Sequence, residues 1–304
     1  MHFLTLKDYD GKWIESVIDL ALLIKKTPKK YSQKLRQKTL AMIFQKTSTR
    51  TRISFETAMT KLGGHAIYLD WRTTQFILGE IQDEAKAVSR YVDAMMVRPL
   101  QHETLLEIAK GSEVPVINGL SELYHPCQAL SDIMTIKEKK GKLKGVKVVY
   151  IGIGNNVSNS LSLACTKTGA QFVLCVPEKD QDSVDLELLK QTNATKLYSE
   201  ESNIEKAVKG ADMLYTDTWV NMEFFSDPKF ENEKKRRERL LMPYQLNKKL
   251  LEKAGTQAFS MHDMPAHIGY EIDEYALRGP RSLAFDQAEN RMWTEMALLI
   301  KLIG

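Results

Sequence analysis

Lys38-Thr39-Leu40-Ala41-Met42-Ile43-Phe44, followed by Gln45-Lys46-Thr47-Ser48-Thr49-Arg50-Thr51-Arg52, is an apolar run that turns abruptly into hydroxyls and guanidiniums. The first seven residues are short and bounded by polar ones, which is the pattern of a buried strand. Beyond the turn, Phe55, Ala58, Met59 and Leu62 recur at i, i+3, i+4 and i+7, and Gly63-Gly64 supplies a stop, so a helix is expected near 52–62. Ser48 to Arg52 therefore lie at the amino end of a helix, where unpaired N–H groups and the positive end of the dipole attract anions. Arginine adds a planar fork that matches phosphate oxygens. The stretch is expected to form an oxyanion site. A capping box, with Ser48 or Thr49 and Glu56 starting the helix, is the competing reading; a cap needs one hydroxyl and no arginine.

Working outward, strand-like runs at 39–44, 65–70, 94–98 and 114–118 alternate with helical patterns near 52–62, 80–91 and 101–111. A second series has strands near 146–153, 170–176, 194–198, 211–217 and 258–262, and helices near 158–168, 183–192, 203–209 and 246–254. Such alternation implies right-handed βαβ units. The expected fold class is α/β, with two doubly wound parallel-sheet domains. A junction helix carrying Ala129, Leu130, Ile133, Met134 and Ile136, and a closing helix with Ala288, Met292, Met296, Leu299 and Ile303 on one stripe, are expected to join them. The boundaries predicted are 1–135 plus the C-terminal helix 287–304 for the first domain, and 136–286 for the second, with the crevice between the halves as the default binding place.

At 304 residues and 43% hydrophobic content the chain can hold two cores of ordinary size. A net charge of +4 is too mild for a nucleic-acid binder but suits a small anionic substrate. The mixed-sign cluster Glu231 to Arg239 reads as a solvated helix face. Cys127, Cys165 and Cys175 lack metal-ligand spacing and suggest a reducing compartment. No apolar run approaches the ~20 residues of a membrane span. The opening Met1 to Asp8 has neither a basic region before an apolar core nor an Arg-rich transit pattern, so a cytoplasmic location is expected.

Further polar residues fall at predicted strand ends. Arg98 closes 94–98 and brings a guanidinium to the carboxyl edge of the first sheet, where ligands collect in open α/β folds; a surface Arg ahead of Pro99 is the alternative. His125-Pro126-Cys127-Gln128 opens the junction helix. There His125 can donate to a developing oxyanion and Gln128 can orient an amide. Gly152-Ile153-Gly154-Asn155-Asn156 resembles the start of a dinucleotide fingerprint, with Glu178 ending the next strand, although Val157 stands at the third glycine position. The two asparagines offer instead a neutral donor and acceptor pair for an amino-acid head group. Asp217 and Asp263, each after a strand, would make a cation-seeking wall, unless Asp217 merely caps a following helix. Arg291 could swing into the crevice from the closing helix; a surface i, i+4 pair with Glu295 is the alternative.

Taken together, Phe44 to Glu56, Thr73-Thr74-Gln75, Tyr124 to Gln128, Gly152 to Asn156, Asp217 to Met222, His262 to Pro265 and Ala288 to Arg291 resemble the transcarbamylase family, and within it the ornithine enzymes, over nearly the entire chain. The resemblance implies a carbamoyl-phosphate domain, an ornithine domain and a homotrimer, or multiple of trimers, with active sites shared between subunits. It implies that Ser48, Thr49, Arg50 and Thr51 hold the phosphate, Arg98 bridges phosphate and carbonyl oxygens, His125 polarises the carbonyl and Gln128 binds the carbamoyl amide. By the same likeness Gln75 reaches a neighbouring subunit's phosphate site, Arg291 assists, and Asn156, Asp217, Asn221 and Met222 contact ornithine. No metal or organic cofactor is implied. The expected reaction gives L-citrulline and phosphate.

Two segments depart from the pattern. The family's His-Cys-Leu-Pro is here His262-Asp263-Met264-Pro265, and its Ser-Met-Gly is Asn221-Met222-Glu223. Both lie on the acceptor side. Asp263 is expected to act with Asp217 on the δ-amine. Aspartate is disfavoured as acceptor, because acidic residues repel it, Ala266 stands where an Arg is expected and Leu78 where an aspartate enzyme offers Lys. Putrescine and agmatine, also cationic, remain alternatives. So do a silent paralogue and an NAD-dependent oxidoreductase.

Overall fold

The computed structural model describes residues 1–220 and 228–304. Asn221 and Met222 therefore lie outside the described residues. The chain divides into two compact units, Met1–Met134 with Glu289–Gly304, and Thr135–Ala288.

In the first unit α1 (Gly11–Lys26) precedes β1 (Thr39–Phe44), α2 (Thr49–Lys61), β2 (His65–Asp70), α3 (Ile81–Val88), β3 (Ala94–Arg98), α4 (His102–Gly111) and β4 (Val116–Asn118); α5 (Pro126–Lys140) then runs on past the division. The strands form one parallel sheet in the order β2-β1-β3-β4. β1 is flanked on both sides, and Leu40 to Phe44 are all buried, which accounts for its unbroken apolar run. Helix α1 was not among the elements expected. Its signal is nonetheless in the sequence: Ile14, Val17, Ile18, Ala21 and Ile24 are buried at helical spacing, and Asp10 caps the start by accepting from the Trp13 N–H at 2.7 Å.

The second unit contains β5 (Lys147–Gly154), α6 (Asn156–Lys167), β6 (Gln171–Lys179), α7 (Leu186–Ala194), β7 (Tyr198–Glu200), α8 (Ile204–Val208), β8 (Met213–Thr216), α9 (Glu231–Leu241), α10 (Lys248–Ala254), β9 (Phe259–His262) and α11 (Glu274–Arg278). α12 (Ala284–Ile303) begins here and ends in the first unit. Its sheet is also parallel, in the order β7-β6-β5-β8-β9. The strand expected at 194–198 forms later, because α7 continues to Ala194 and Lys196 turns the chain with φ of 58°. The charged cluster in α9 is more than a solvated face. Arg236 does pair with Glu233 within the helix, but it also reaches Glu178 at 2.7 Å, and Arg237 is mostly buried against Asp180 at 2.7 Å and the Trp219 carbonyl at 2.8 Å.

The two units are α/β folds with parallel sheets, joined by helices, as the alternating pattern implies. Among the described residues no helix is long and apolar enough to cross a membrane. Ile43, fully buried in the central strand β1, packs with Met95, Val97 and Leu105. Ile43→Ala is expected to cost about 2–5 kcal/mol of stability, read as a lower urea midpoint with an unchanged m-value.

Candidate active site

In the first unit the strand order reverses between β1 and β3, which makes a switch point at their carboxyl ends. The parallel register sets Phe44 beside Arg98, so the loop leaving β1 and the side chain ending β3 share one edge. Ser48 is the N-cap of α2: its Oγ accepts from the Thr51 N–H at 3.3 Å and donates to Thr51 Oγ1 at 3.1 Å. The capping reading thus holds for Ser48 itself, but Glu56 does not close a box. It receives Arg52 Nε at 2.9 Å, and the Arg52 guanidinium lies 4.0 Å from the centre of the Tyr68 ring. Arg52 is therefore drawn out of the anion set.

Thr51 Oγ1 is the hub of what remains. It accepts from Arg98 Nη1 at 3.2 Å and from Arg291 Nη2 at 3.4 Å. Arg291 Nη1 donates to Gln128 Oε1 at 2.8 Å and lies 3.5 Å from His125 Nε2. Thr51, His125, Gln128 and Arg291 are all buried. Gln128 also gives one amide N–H to Asp132 at 2.8 Å, which fixes the orientation of its side chain. Gln75 makes none of these bonds; it is exposed on a 3-10 turn, Gln75–Ile77. Thr49 is exposed, while Ser48 and Arg50 are partly buried at the rim.

Burial holds the His125 pKa well below its ordinary value, and the positive charges of Arg291, Arg98 and Arg50 push it the same way. The imidazole is neutral at pH 7. Arg291 is not on the surface: it pairs with Glu295 as the i, i+4 alternative supposed, at 3.0 Å, but both side chains are buried. Burial raises the Glu295 carboxyl to about 7 against the opposing pull of Arg291.

The second unit has its own switch point between β5 and β8. Here Asn155, not Asn156, is the structural asparagine. It caps α6 in a reciprocal box with Ser158, and its Oδ1 also accepts from the Tyr150 hydroxyl at 2.9 Å. Its amide donates to Asp217 Oδ2 at 2.6 Å. Asn155 thus cannot serve a head group as half of an asparagine pair; Asn156, the first residue of α6, is partly buried. Among the described residues Asp217 caps no following helix; its Oδ1 accepts from the adjacent Thr218 N–H at 2.6 Å.

Potential ligand atoms of Asp217, His262 and Asp263 lie within 4.8 Å of one another. A cation bound by all three needs a lone pair from His262. That imidazole accepts the Met264 N–H on Nδ1 at 2.8 Å, so its proton sits on Nε2, 3.3 Å from Glu271 Oε1. No lone pair is free, and His262 is scaffold. The two carboxylates remain as the cation-attracting pair, and both of them, with Asp180, reinforce burial in raising the Tyr150 phenol.

The dinucleotide reading does not fit this turn. Glu178 is held by Arg236 through two bonds of 2.7 Å. A Cβ at Gly152 would lie 3.0 Å from Trp219 Nε1, and one at Gly154 would lie 2.9 Å from Lys179 Cγ.

Asn155 and Glu295 are the polar residues that sequence reasoning undervalued. Asn155 is signalled by Ser158 three positions on, the spacing of a capping box. For Glu295, an i+4 partner of Arg291 was visible, but its burial was not.

Two parallel α/β units, one with a hydroxyl–guanidinium cradle beside a neutral imidazole and the other with paired carboxylates, define a group transferase that handles an anionic donor and a cationic acceptor. The chain belongs to the aspartate/ornithine carbamoyltransferase family. The family's carbamoyl-P binding domain matches residues 1–138, and its Asp/Orn binding domain matches residues 144–302. The chain is 46% identical to an ornithine carbamoyltransferase of Pyrococcus abyssi over 99% of its own length and 95% of the relative's. Among solved structures, the ornithine carbamoyltransferase of Pyrococcus furiosus superposes with a TM-score of 0.92 at 44% identity, covering 100% of this chain and 97% of that one. The anabolic ornithine carbamoyltransferase of Campylobacter jejuni gives 0.88 at 38% identity, over 99% and 98%.

Because the folded pKa of His125 is depressed, the unfolded chain binds the extra proton first. The His125 contribution to stability is thus undiminished above about pH 6.5 and is lost as pH falls below it. NMR of the imidazole should show no protonation of His125 between pH 8 and pH 6.

Proposed function

We infer that the chain transfers the carbamoyl group of carbamoyl phosphate to the δ-amine of L-ornithine, giving L-citrulline and phosphate, and that the cradle in the first unit is the donor site. The observation that carries this reading is the bonded cluster of Thr51, Arg98, His125, Gln128 and Arg291 at one sheet edge. An activated acyl donor with an anionic leaving group needs positive charge where phosphate departs. Two unit charges about 4 Å apart interact by roughly 4 kcal/mol at an effective dielectric near 20, enough to change a rate by orders of magnitude.

Ser48, Thr49, Arg50 and Thr51 hold the phosphate through helix N–H groups, hydroxyls and a guanidinium. Arg98 spans phosphate and carbonyl oxygens. His125, neutral, polarises the carbonyl, Gln128 orients the carbamoyl amide and Arg291 assists. Gln75, exposed at its turn, reaches a neighbouring subunit's phosphate site in a homotrimer. Large apolar side chains exposed on the same unit, including Ile53, Ile77 and Leu78, support such an assembly. A cytoplasmic location is supported by the three buried cysteines, none of them in a disulfide.

On the acceptor side the amine must lose a proton. With a pKa near the lysine value of ~10.4, that costs about 4–5 kcal/mol at pH 7. Asp217, held by Asn155, receives the ammonium, and Asp263 acts with it to orient the amine and take up its proton. Asn156, Asn221 and Met222 complete the ornithine contacts. Putrescine or agmatine is the second reading, since the described carboxylates recognise only an amine.

The deciding assay offers carbamoyl phosphate with ornithine, putrescine, agmatine, lysine or aspartate in parallel and measures ureido product. Ornithine is expected to lead, and absence of product with every amine would overturn the enzyme reading. His125→Ala should lower kcat by about 10²–10³-fold, the usual loss for one carbonyl-stabilising donor. Asp263→Asn should lower turnover and alter its pH profile; an unchanged profile removes Asp263 from the mechanism. Sedimentation equilibrium should return a multiple of three times 34.7 kDa.

A further inference from the structure

Glu295 is a carboxyl group at the back of a site built for anions. Its Oε1 accepts from Arg291 Nε at 3.1 Å and from Nη2 at 3.0 Å, and that same Nη2 faces Thr51 Oγ1 at 3.4 Å. The Glu295 side chain is 1% exposed, and its Oε2 is buried with no hydrogen-bond partner among the described residues. Glu295 faces Arg291 from its own helix α12, Cys127 from α5 and the Ser54 hydroxyl from α2. Among the described residues Arg291 is the one cation paired with it. A carboxylate so placed opposes an incoming dianion, yet it is also the counter-charge that lets Arg291 stay buried beside Arg98.

We propose that Glu295 is the resident counter-ion of Arg291 and yields that role to the donor's phosphate, taking up one proton from solvent on Oε2 as the dianion binds. The inference rests on the donor-site reading above. The dianion replaces Glu295 as partner of the guanidinium, and a carboxylate whose cation is shared has less reason to remain charged in a buried place. The group's position near neutrality, about 7, puts this exchange in the ordinary working range. The sign follows from linkage: a dianion that raises the proton affinity of Glu295 binds more tightly as pH falls toward 7, and its affinity levels off below that.

Sulfate is the probe, because it stays a dianion from pH 6 to 9. Its inhibition constant against carbamoyl phosphate is measured at constant ionic strength for the wild type and for Glu295→Gln, which preserves the shape and the acceptor oxygen. The wild-type constant is expected to fall relative to the variant's by up to about tenfold per pH unit between pH 9 and 7, with the variant binding sulfate more tightly at pH 8.5. A ratio independent of pH, or weaker binding by the variant at pH 8.5, overturns the proposal. Calorimetry at pH 7.5 in buffers of different ionisation enthalpy supplies a measurement on the unaltered enzyme. Proton uptake on sulfate binding is expected, and none overturns the idea. Sulfate that fails to compete with carbamoyl phosphate overturns the donor-site reading as well, whereas competition with a flat ratio removes Glu295 alone.

Discussion

Two guanidinium groups share one hydroxyl oxygen: Arg98 and Arg291 both donate to Thr51 Oγ1. Like charges held this close are costly unless the backbone leaves them no alternative and some countercharge offsets them. The first unit meets both conditions. Arg98 is fixed because β3 lies in parallel register with β1, and Thr51 is fixed because Ser48 caps the helix that β1 leads into. Arg291 is fixed by a buried carboxylate one helical turn along α12 and by the Gln128 amide oxygen. The same crowding of positive charge, added to burial, keeps His125 neutral. A neutral imidazole adds no further positive charge to the two guanidiniums beside it.

The second unit solves the opposite electrostatic problem. Its carboxylates, Asp217 and Asp263, are close enough to repel, and Asn155 and the Thr218 N–H partly satisfy Asp217 by donating to it. Asn155 can do so because its own oxygen is committed to the helix cap and to Tyr150. A capping motif has thus become the support of the Asp217 carboxylate. His262 lies in the same cluster, but its two ring nitrogens are committed to Met264 and Glu271, and it acts as a strut.

Much of the fold was legible because parallel α/β units repeat a strong local signal. The inner strands β1, β3, β5 and β8 are apolar runs buried over nearly their whole length, and helices such as α1 and α2 show 3.6-residue spacing behind a side-chain cap. What failed did so for local reasons. The strand expected at 194–198 lies at 198–200 because helix α7 keeps Ala194, and α1 adds a helix whose apolar stripe packs inward ahead of β1. The hydroxyl and arginine cluster of Ser48 to Thr51 at a helix start was legible because it depends on a strand running into a capped helix, and Ser48 does cap α2. Arg52 carries the same chemistry one position on and points elsewhere, to Glu56 and Tyr68, since adjacent helical residues do not share a face.

Residue order was enough to establish a two-unit parallel α/β architecture, the anionic character of the donor and the strand ends where polar groups collect, because these depend on periodicity and on chemistry local to a turn. Tertiary structure alone decided which of those groups meet. Thr51 and Arg291 are separated by 240 positions, yet share a hydrogen bond. It decided that Glu295 is a buried partner rather than a surface one, and that Asn155 rather than Asn156 supports Asp217. The physical reason is the same in each case. Charge and hydrogen-bonding capacity are properties of a side chain, but the cost of burying them depends on every neighbour the fold brings within reach.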